Sequence, residues 1–563
     1  MDNLPDDRRD RIAYFSMEIG LDERIPTYCG GLGVLAGDTL KSCADLEVPA
    51  IGVTLLSEKG FFNQKIDENG NQKEEDVDWN PKEYMTPIKN KVIVPIKGEK
   101  VSVGAWLYNI VGVTGHKVPV LFLDTNIPEN DEKGRQITWY LYGGDEENRL
   151  KQEIALGIGG VRMLKDLDFR MRKYHMNEGH SSLLALELLK RGIERNQGIL
   201  DPSLIDSVRD KCVFTTHTPI PAGHDKFSYS LVERLLGDYM DIELIKKYGG
   251  GEHLNMTLLG FNLSEYINGV AKKHGEVSRS MFPGYSINAI TNGIHPPTWI
   301  SESFRELYDK HITDWRKDPF LFRYAVGIPD EEIWAAHMES KKELIDYVNR
   351  EYNSGMIYET LTIGFARRMT EYKRPTLIFS DVDRLKKIAG KAGGIQMIFS
   401  GKAHPRDYRG KELIKEIYSY TEKLESEIKI VYIENYDIEM AKKLVAGVDL
   451  WLNTPQKPKE ASGTSGMKAT LNGVLNLSVL DGWWIEGHIE GITGWSIGGL
   501  EVDKESHRRC VEDLYNKLEQ IMNLFYEDRK SWIETMKNSI SLNASFFNSH
   551  RMVQQYIVNA YWD

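Results

Sequence analysis

Cysteine is scarce in this 563-residue chain: four residues, Cys29, Cys43, Cys212 and Cys510, with no Cys-x-x-Cys pair. That spacing excludes a disulfide framework and a structural zinc cluster of the common kind, and it fits a reducing cytoplasm. Long apolar runs are lacking too. No stretch approaches the ~20 apolar residues that span a bilayer, and Met1–Arg9 carries no apolar signal core. The third absence is net positive charge: 71 Lys and Arg face 83 Asp and Glu, a balance of −12. Dedicated binders of nucleic acid or anionic membranes present a basic face, so neither is expected as a partner. Any site for phosphate in such a chain has to concentrate cations locally.

What is present is material for more than one core, with 41% of residues hydrophobic. Strands are expected at Ile12–Phe15, Ile51–Leu55, Val92–Ile96, Val101–Val111, Val118–Leu123, Val213–Thr215 and Ile287–Ile290. A tighter series follows at Leu361–Phe365, Met397–Phe399, Ile428–Ile433, Leu450–Leu452 and Val474–Val479. Its gaps read as helices over Lys373–Ala389, Tyr408–Ser426 and Glu439–Ala446, and Glu302–Tyr352 reads as helical ahead of it. Such alternation implies an α/β protein with parallel sheets. The expected organisation is two Rossmann-like lobes, residues 1–292 and 293–540, with a tail, 541–563, docked on one of them. Ligands of open α/β sheets bind at the carboxyl ends of strands, so the lobes are expected to face each other across a cleft.

Three segments carry candidate chemistry. Glu460-Ala-Ser-Gly-Thr-Ser-Gly-Met-Lys468 lies between two expected strands. Its small and hydroxyl residues expose backbone N–H groups before a helix, an arrangement that binds phosphate. Lys468 either pairs with that anion or joins a carbonyl cofactor; the plain alternative is a Gly/Ser loop with a surface lysine. Second, Arg367, Arg368, Lys373 and Arg374 place four cations within eight residues, directly after the strand at Leu361. At a strand's carboxyl end they suit phosphate recognition, although a solvated basic face reads similarly. Third, Cys29-Gly30-Gly31-Leu-Gly33 is a glycine turn entering a helix, either an anion-facing turn or a tight structural one. It is not a dinucleotide fingerprint, because the spacing is not G-x-G-x-x-G.

Histidines cluster at His175 and His180 in HMNEGH and at His217 and His224 in HTPIPAGH. The i,i+5 spacing of the first pair places the two rings on different faces of a helix, and no H-E-x-x-H occurs, so core or substrate-contacting histidines are expected and no metal site. Trp299 and the Trp483–Trp484 pair suit sugar stacking and core packing equally.

In order along Ile12–Gly487, the segments AYFSME, GGLGVLA, FFNQKI, HMNEGHS, ITNGIHP, RRMTEYKR, SGKAHP, IENYDIEMAKKL, EASGTSGMKATLNG and VLDGWW resemble the glycogen and maltodextrin phosphorylase family in its short bacterial or archaeal form. The resemblance implies a GT-B glycosyltransferase architecture and pyridoxal 5′-phosphate joined to Lys468. It puts Arg367, Thr464 and Ser465 around the cofactor's phosphate, with Tyr436 lining its pocket. Arg368, Lys373 and the Gly31 amide would hold substrate phosphate; Glu460, Ser462, Gly463, Tyr372 and Asn292 would bond glucose hydroxyls, and His217 would border the sugar path near Asn177 and Glu178. The implied partners are an α-glucan and inorganic phosphate or glucose 1-phosphate, in a cytoplasmic homodimer. Arg367 stands where well-known members have lysine, Glu265 where they have histidine, Cys29 where they have asparagine, and Asp437 where they have arginine. The rival is a sugar-nucleotide-dependent α-glucan synthase. Its class often carries Glu-x7-Glu in the equivalent loop; here the second position is Lys468.

Overall fold

The computed structural model describes residues 4–562 except Asp6 and Ala392. By their contacts these fall into two units. Unit 1 holds the chain up to Phe62, Asp76–Thr291 and the residues from Met552 on; unit 2 holds Asn63–Glu75 and Asn292–Arg551. Each is built on a largely parallel sheet flanked by helices, the α/β class that the strand–helix alternation implies.

Unit 2 has a six-stranded sheet in the spatial order Lys429–Ile433, Ile395–Ser400, Leu361–Ala366, Leu450–Asn453, Leu475–Val479, Gly494–Ile497. All neighbours are parallel. In chain order this is 3-2-1-4-5-6, the doubly wound arrangement. The central strands are buried on both faces, which is why Leu361–Ala366 (LTIGFA) and Ile395–Ser400 (IQMIFS) read as continuous apolar runs instead of alternating. The strand order reverses between Leu361–Ala366 and Leu450–Asn453, and sheets of this class bind ligands at the carboxyl ends there. The opposite ends of both strands are fixed by one buried carboxylate. Asp449 accepts from Lys341 Nζ at 2.6 Å, pairs with His337 Nε2 at 2.8 Å and takes the Thr362 N–H at 2.7 Å. Burial pushes this carboxyl up, but Lys341 and His337 outweigh it and hold it below its ordinary value.

Unit 1 has a nine-stranded sheet in the order Asn288–Ala289, Tyr266–Gly269, Cys212–Thr215, Met171–Asn177, Arg11–Phe15, Ala50–Leu55, Lys117–Asp124, Glu99–Val111, Thr86–Ile96. The last two strands run antiparallel to their neighbours. Pro87 and Pro95 lie on the edge strand, where a missing ladder donor is tolerated. The order reverses between Arg11–Phe15 and Met171–Asn177.

Three sequence expectations need correction. Met171–Asn177 is a central strand, disguised by Arg172, Lys173, His175 and Asn177. His175 is therefore on a strand and His180 in the 3₁₀ turn Gly179–Ser181, not on two faces of one helix. The helix expected over Lys373–Ala389 is two 3₁₀ turns, Glu371–Lys373 and Leu377–Phe379, followed by the helix Val382–Ala389; Pro375 cannot continue a helix from the preceding turn. Glu302–Tyr352 likewise divides at Pro319 and Pro329 into Glu302–His311, Pro319–Gly327 and Asp330–Tyr352. Among the described residues no helix is long and apolar enough to cross a membrane.

His175 explains how the end of the chain is held in unit 1. Its Nδ1 bonds the Tyr561 hydroxyl at 2.6 Å and its Nε2 the Thr215 hydroxyl at 2.8 Å; Thr215 in turn meets the Tyr556 hydroxyl at 3.1 Å. Burial pushes the imidazole down to about 3, so it is neutral near pH 7. With both ring nitrogens engaged by hydroxyls, this is a core histidine. Tyr561→Phe removes one hydroxyl and leaves a buried ring nitrogen without its partner, which costs about 1–3 kcal/mol. The urea midpoint of the variant is expected to fall accordingly; a midpoint equal to the parent's would show that the bond does not anchor the tail.

Candidate active site

In unit 2 the loops at the order reversal carry the cationic segment on one side and the Gly/Ser segment on the other. Arg367 leaves the strand Leu361–Ala366, and Asn453 ends the strand Leu450–Asn453. The loops are laced together. Thr454 Oγ1 donates to the carbonyls of Lys373 and Arg374 at 3.0 and 2.9 Å. Arg374 returns Nε to Thr454 O at 2.8 Å and Nη2 to Pro455 O at 2.9 Å, and Gln456 N donates to Tyr372 O at 2.7 Å.

At the centre stands Glu460. Its Oε2 accepts from Arg367 Nη2 at 2.8 Å and from Lys373 Nζ at 2.5 Å, while Arg367 Nη1 donates to Asn453 Oδ1. Burial would push this carboxyl up, but the charges of Arg367 and Lys373 and their hydrogen bonds bring it down to about 2. Glu460 is therefore an anion at neutral pH and is no proton donor. Lys373 also lies over the Tyr372 ring, 4.5 Å from its centroid. Burial raises the Tyr372 phenol, yet Lys373 and Arg368 pull it below its ordinary value. Arg368 is exposed, and its charge also reaches His404. The Tyr436 phenol is raised by burial, against the pull of the Arg367 charge.

The loop from Glu460 to Thr464 turns at Gly463, whose φ of +72° favours glycine. It enters the helix Ser465–Leu471, whose first-turn amides receive no side-chain cap from Thr464. Ser465 Oγ accepts from Trp451 Nε1 at 3.1 Å. Lys468 is buried, and its amine lies 3.6 Å from the centroid of the Trp299 ring. Asn472 braces this helix, donating to Trp299 O at 2.9 Å and Lys468 O at 3.0 Å. Among the described residues, three polar atoms of the candidate site residues are buried without a protein hydrogen-bond partner: Arg367 Nε, Ser462 Oγ and Asn292 Oδ1. Buried polar atoms are ordinarily satisfied, so these three point to a polar ligand.

Sequence reading missed two residues that shape the cluster. Asn453 shares Arg367 with Glu460. Asp481 takes the Glu460 N–H on Oδ2 and the Gly482 N–H on Oδ1, both at 3.0 Å, and so fixes the backbone beneath Glu460. Burial and the nearby Glu460 push Asp481 up to about 7 against those two bonds. It lies in the VLDGWW segment, where only the tryptophans drew notice. Trp299, Trp483 and Trp484 are all buried, which suits packing, and the Trp299 ring also faces the Lys468 amine. Asp437 caps the helix Ile438–Gly447, accepting from Met440 N at 2.8 Å, which gives that departure a local reason.

Gly31 and His217 lie in unit 1. Gly31 opens the helix Gly31–Asp45 after the N-cap Gly30, which supplies no side chain, and a Cβ at either glycine would meet no atom within 4 Å. Glu18 holds the turn by accepting the Cys29 N–H at 2.6 Å and the Gly30 N–H at 3.2 Å. His217 Nε2 bonds Asn177 Oδ1 at 2.6 Å, and its N–H donates to Glu178 at 2.7 Å. Burial pushes His217 down to about 3 and Glu178 up to about 7, the latter against three hydrogen bonds. Glu178 follows Met171–Asn177, one of the two strands at the order reversal of the unit 1 sheet, and His217 follows the neighbouring strand Cys212–Thr215.

The profile of the carbohydrate phosphorylase family matches residues 25–141 and 241–494 of this chain. The maltodextrin phosphorylase of Thermococcus litoralis is 40% identical over 591 residues, spanning 98% of this chain and 70% of that protein. The glycogen phosphorylase of Aquifex aeolicus is 37% identical, spanning 98% of this chain and 86% of that protein. The glycogen phosphorylase of Mycobacterium tuberculosis is 35% identical, with 98% and 70% spanned.

The Glu460 cluster predicts a specific linkage. Glu460→Gln leaves two buried cations without their counter-charge, at a cost of about 3–5 kcal/mol. The folded carboxyl titrates at about 2, below an unfolded value of about 4.3. Its contribution is therefore present above pH ~4.3 and lost as pH falls towards the folded value. The gap in urea midpoint between parent and variant should be wide at pH 7 and narrow below pH ~4, and inorganic phosphate should raise the variant's midpoint more than the parent's. A variant as stable as its parent at pH 7, with no added response to phosphate, would remove Glu460 from this role.

Proposed function

The chain belongs to the carbohydrate phosphorylase family, and from that premise we propose that it is an α-glucan phosphorylase. It transfers the terminal α-1,4-linked glucose of glycogen, starch or maltodextrin to inorganic phosphate with retention, giving α-D-glucose 1-phosphate. The observation that carries this reading is the convergence of Arg367 and Lys373 on Glu460 at the order reversal of the unit 2 sheet, with buried Lys468 on the helix that the Gly/Ser loop enters.

The residues present fit pyridoxal 5′-phosphate. Lys468 is a buried amine against an aromatic face, the first turn of its helix lacks a side-chain cap, and Arg367 Nε is a buried donor without a protein partner. In this reading Lys468 holds the cofactor; Arg367, Thr464 and Ser465 receive its phosphate, and Tyr436 lines its pocket. When bound, the cofactor supplies a phosphate monoester with a second pKa of about 6, suited to acid–base work near neutrality.

The remaining roles belong to the chain's own side chains. Arg368 and Lys373 bind substrate phosphate and, with Arg367, offset the repulsion between two neighbouring phosphates. Glu460, Ser462, Gly463, Tyr372 and Asn292 orient the glucose through its hydroxyls, and the Ser462 Oγ and Asn292 Oδ1 that lack protein partners suit that work. The C1–O bond to the rest of the glucan breaks, a C1–O bond to phosphate forms, and the departing glycosidic oxygen takes up the proton that the incoming hydrogen phosphate gives up. Glu460 cannot give that proton because it is already ionised and paired, so the opposed-carboxylate arrangement of glycoside hydrolases does not apply here. The transition state is oxocarbenium-like, and phosphate held by Arg368 and Lys373 stabilises it. For Gly31 and His217 the assigned roles rest on the family resemblance alone, as does the homodimer. Four free cysteines accord with a cytoplasmic location.

The competing synthase reading is tested by donor choice. With a maltooligosaccharide primer, glucose 1-phosphate should extend the chain, and UDP-glucose or ADP-glucose should not. With inorganic phosphate, the same oligosaccharide should release glucose 1-phosphate. Faster growth from a sugar nucleotide than from glucose 1-phosphate would overturn the phosphorylase reading.

A further inference from the structure

The segment Asn63-Gln64-Lys65-Ile66 takes no part in the reaction as proposed, yet its placement is unusual. The strand pair Asn63–Ile66 and Gln72–Glu75 belongs to unit 2, although the chain on either side of it belongs to unit 1. Within unit 2 the pair docks on two loops at the carboxyl end of the sheet. One follows Ile395–Ser400 and carries Gly401 and Ala403; the other follows Lys429–Ile433 and carries Glu434 and Asn435.

Gln64 is wholly buried, and its backbone N–H and both polar atoms of its side chain are engaged. Its backbone N–H donates to Asn435 Oδ1 at 3.1 Å, and its Oε1 accepts the Asn435 N–H at 2.9 Å. Its Nε2 donates to Gln72 Oε1 and to the Gly401 carbonyl, both at 2.8 Å. Gln72 extends the contact by exchanging two bonds with the backbone of Ala403, at 3.0 and 2.9 Å. The Gly401 carbonyl has a second donor, the Tyr432 hydroxyl, at 2.6 Å.

Gly401 is where this network reaches the cationic loop. A Cβ on Gly401 would lie 2.0 Å from the Arg367 carbonyl oxygen, so the two backbones are in direct contact and no side chain fits between them. Flanking bonds continue the contact, from Arg367 N to Ser400 O at 3.2 Å and from Met369 N to Lys402 O at 3.0 Å. A glycine with φ +151° sits in a region other residues avoid, and its peptide planes have little steric guidance of their own. Two buried donors converging on its carbonyl supply that guidance. Apolar side chains would fill the same space with fewer demands; a fully satisfied buried polar network instead specifies one geometry.

We infer that Gln64 is a positioning residue for substrate phosphate: by fixing the Gly401 carbonyl it sets the backbone of Arg367–Met369, and with it where Arg368 is presented. This rests on Arg368 and Lys373 binding phosphate as proposed above. It gives the hairpin of unit 2, and the SGKAHP and IENYD segments it docks on, a common task.

The test uses purified holoenzyme assayed in the phosphorolysis direction, with KM measured separately for inorganic phosphate and for a maltooligosaccharide. Gln64→Leu should raise the KM for phosphate about tenfold, the scale of one lost buried hydrogen bond, while the KM for oligosaccharide stays within about twofold. Tyr432→Phe, which removes only the second hydroxyl donor to the same carbonyl, should shift the phosphate KM in the same direction. Lys65→Ala, on the exposed side of the same strand, should match the parent. An unchanged phosphate KM in Gln64→Leu, or equal rises in both KM values, would overturn the inference. Should Gln64→Leu fail to fold, Tyr432→Phe decides alone: an unchanged phosphate KM overturns it. A parent that forms no glucose 1-phosphate would sink the proposed function itself. An active parent matched by its Gln64 variant would sink only the positioning role.

Discussion

The pairing of Glu460 with Arg367 and Lys373 is the interaction on which the site depends. Two cations held close together repel by several kcal/mol at the effective dielectric of a protein interior, about 4 kcal/mol at 4 Å. In a chain of net charge −12 the distant acidic surface does little to relieve that, because solvent screens it. A carboxylate touching both cations does. The same geometry defines the chemistry open to the site. One buried anion against two cations leaves the cluster with a positive charge to spare, and Arg368 and Arg374 add to it within the same eight residues. That surplus is what a pair of phosphates needs.

The backbone around this cluster is fixed from several directions. Asp449 anchors the starts of Leu361–Ala366 and Leu450–Asn453, so the carboxyl ends of both strands project from a rigid base. Thr454 and Arg374 lace the two loops together. Asp481 holds the Glu460 amide, and Trp483 N donates to Ser462 O at 2.9 Å, which ties the Gly/Ser loop to the turn after the strand Leu475–Val479. Gly401 presses on Arg367 from the other side. Each support leaves Arg367 and Glu460 few alternative positions, the preorganisation that charged sites require.

Much of this was legible in the sequence, for physical reasons. Four cations in eight residues stand out against an acidic background, and strands buried on both faces announce themselves as apolar runs, so the unit 2 sheet and its cationic loop were readable. The Gly/Ser loop was readable because small residues before a helix expose amides. What escaped notice depended on tertiary context. Met171–Asn177 is central yet polar, since His175 and Asn177 make internal hydrogen bonds that composition does not reveal. The membership of Asn63–Glu75 in unit 2 follows from docking on Gly401, Ala403 and Asn435, far away in sequence. Nothing in the sequence around Asp481 signals its part, which lies in two bonds to the backbone of Glu460 and Gly482. Pro375 breaks the helix expected from Lys373, because its ring and missing N–H cannot continue the preceding turn. The tryptophans near the site were open to two readings, and their burial favours packing.

The central claim is that this cluster holds phosphate beside phosphate. Phosphorus NMR of the purified protein addresses it most directly. A protein-bound phosphorus resonance is expected that survives exhaustive dialysis, belongs to a phosphate monoester, and shifts when inorganic phosphate or glucose 1-phosphate is added. A protein that retains no phosphorus, or a bound resonance indifferent to both ligands, would contradict it.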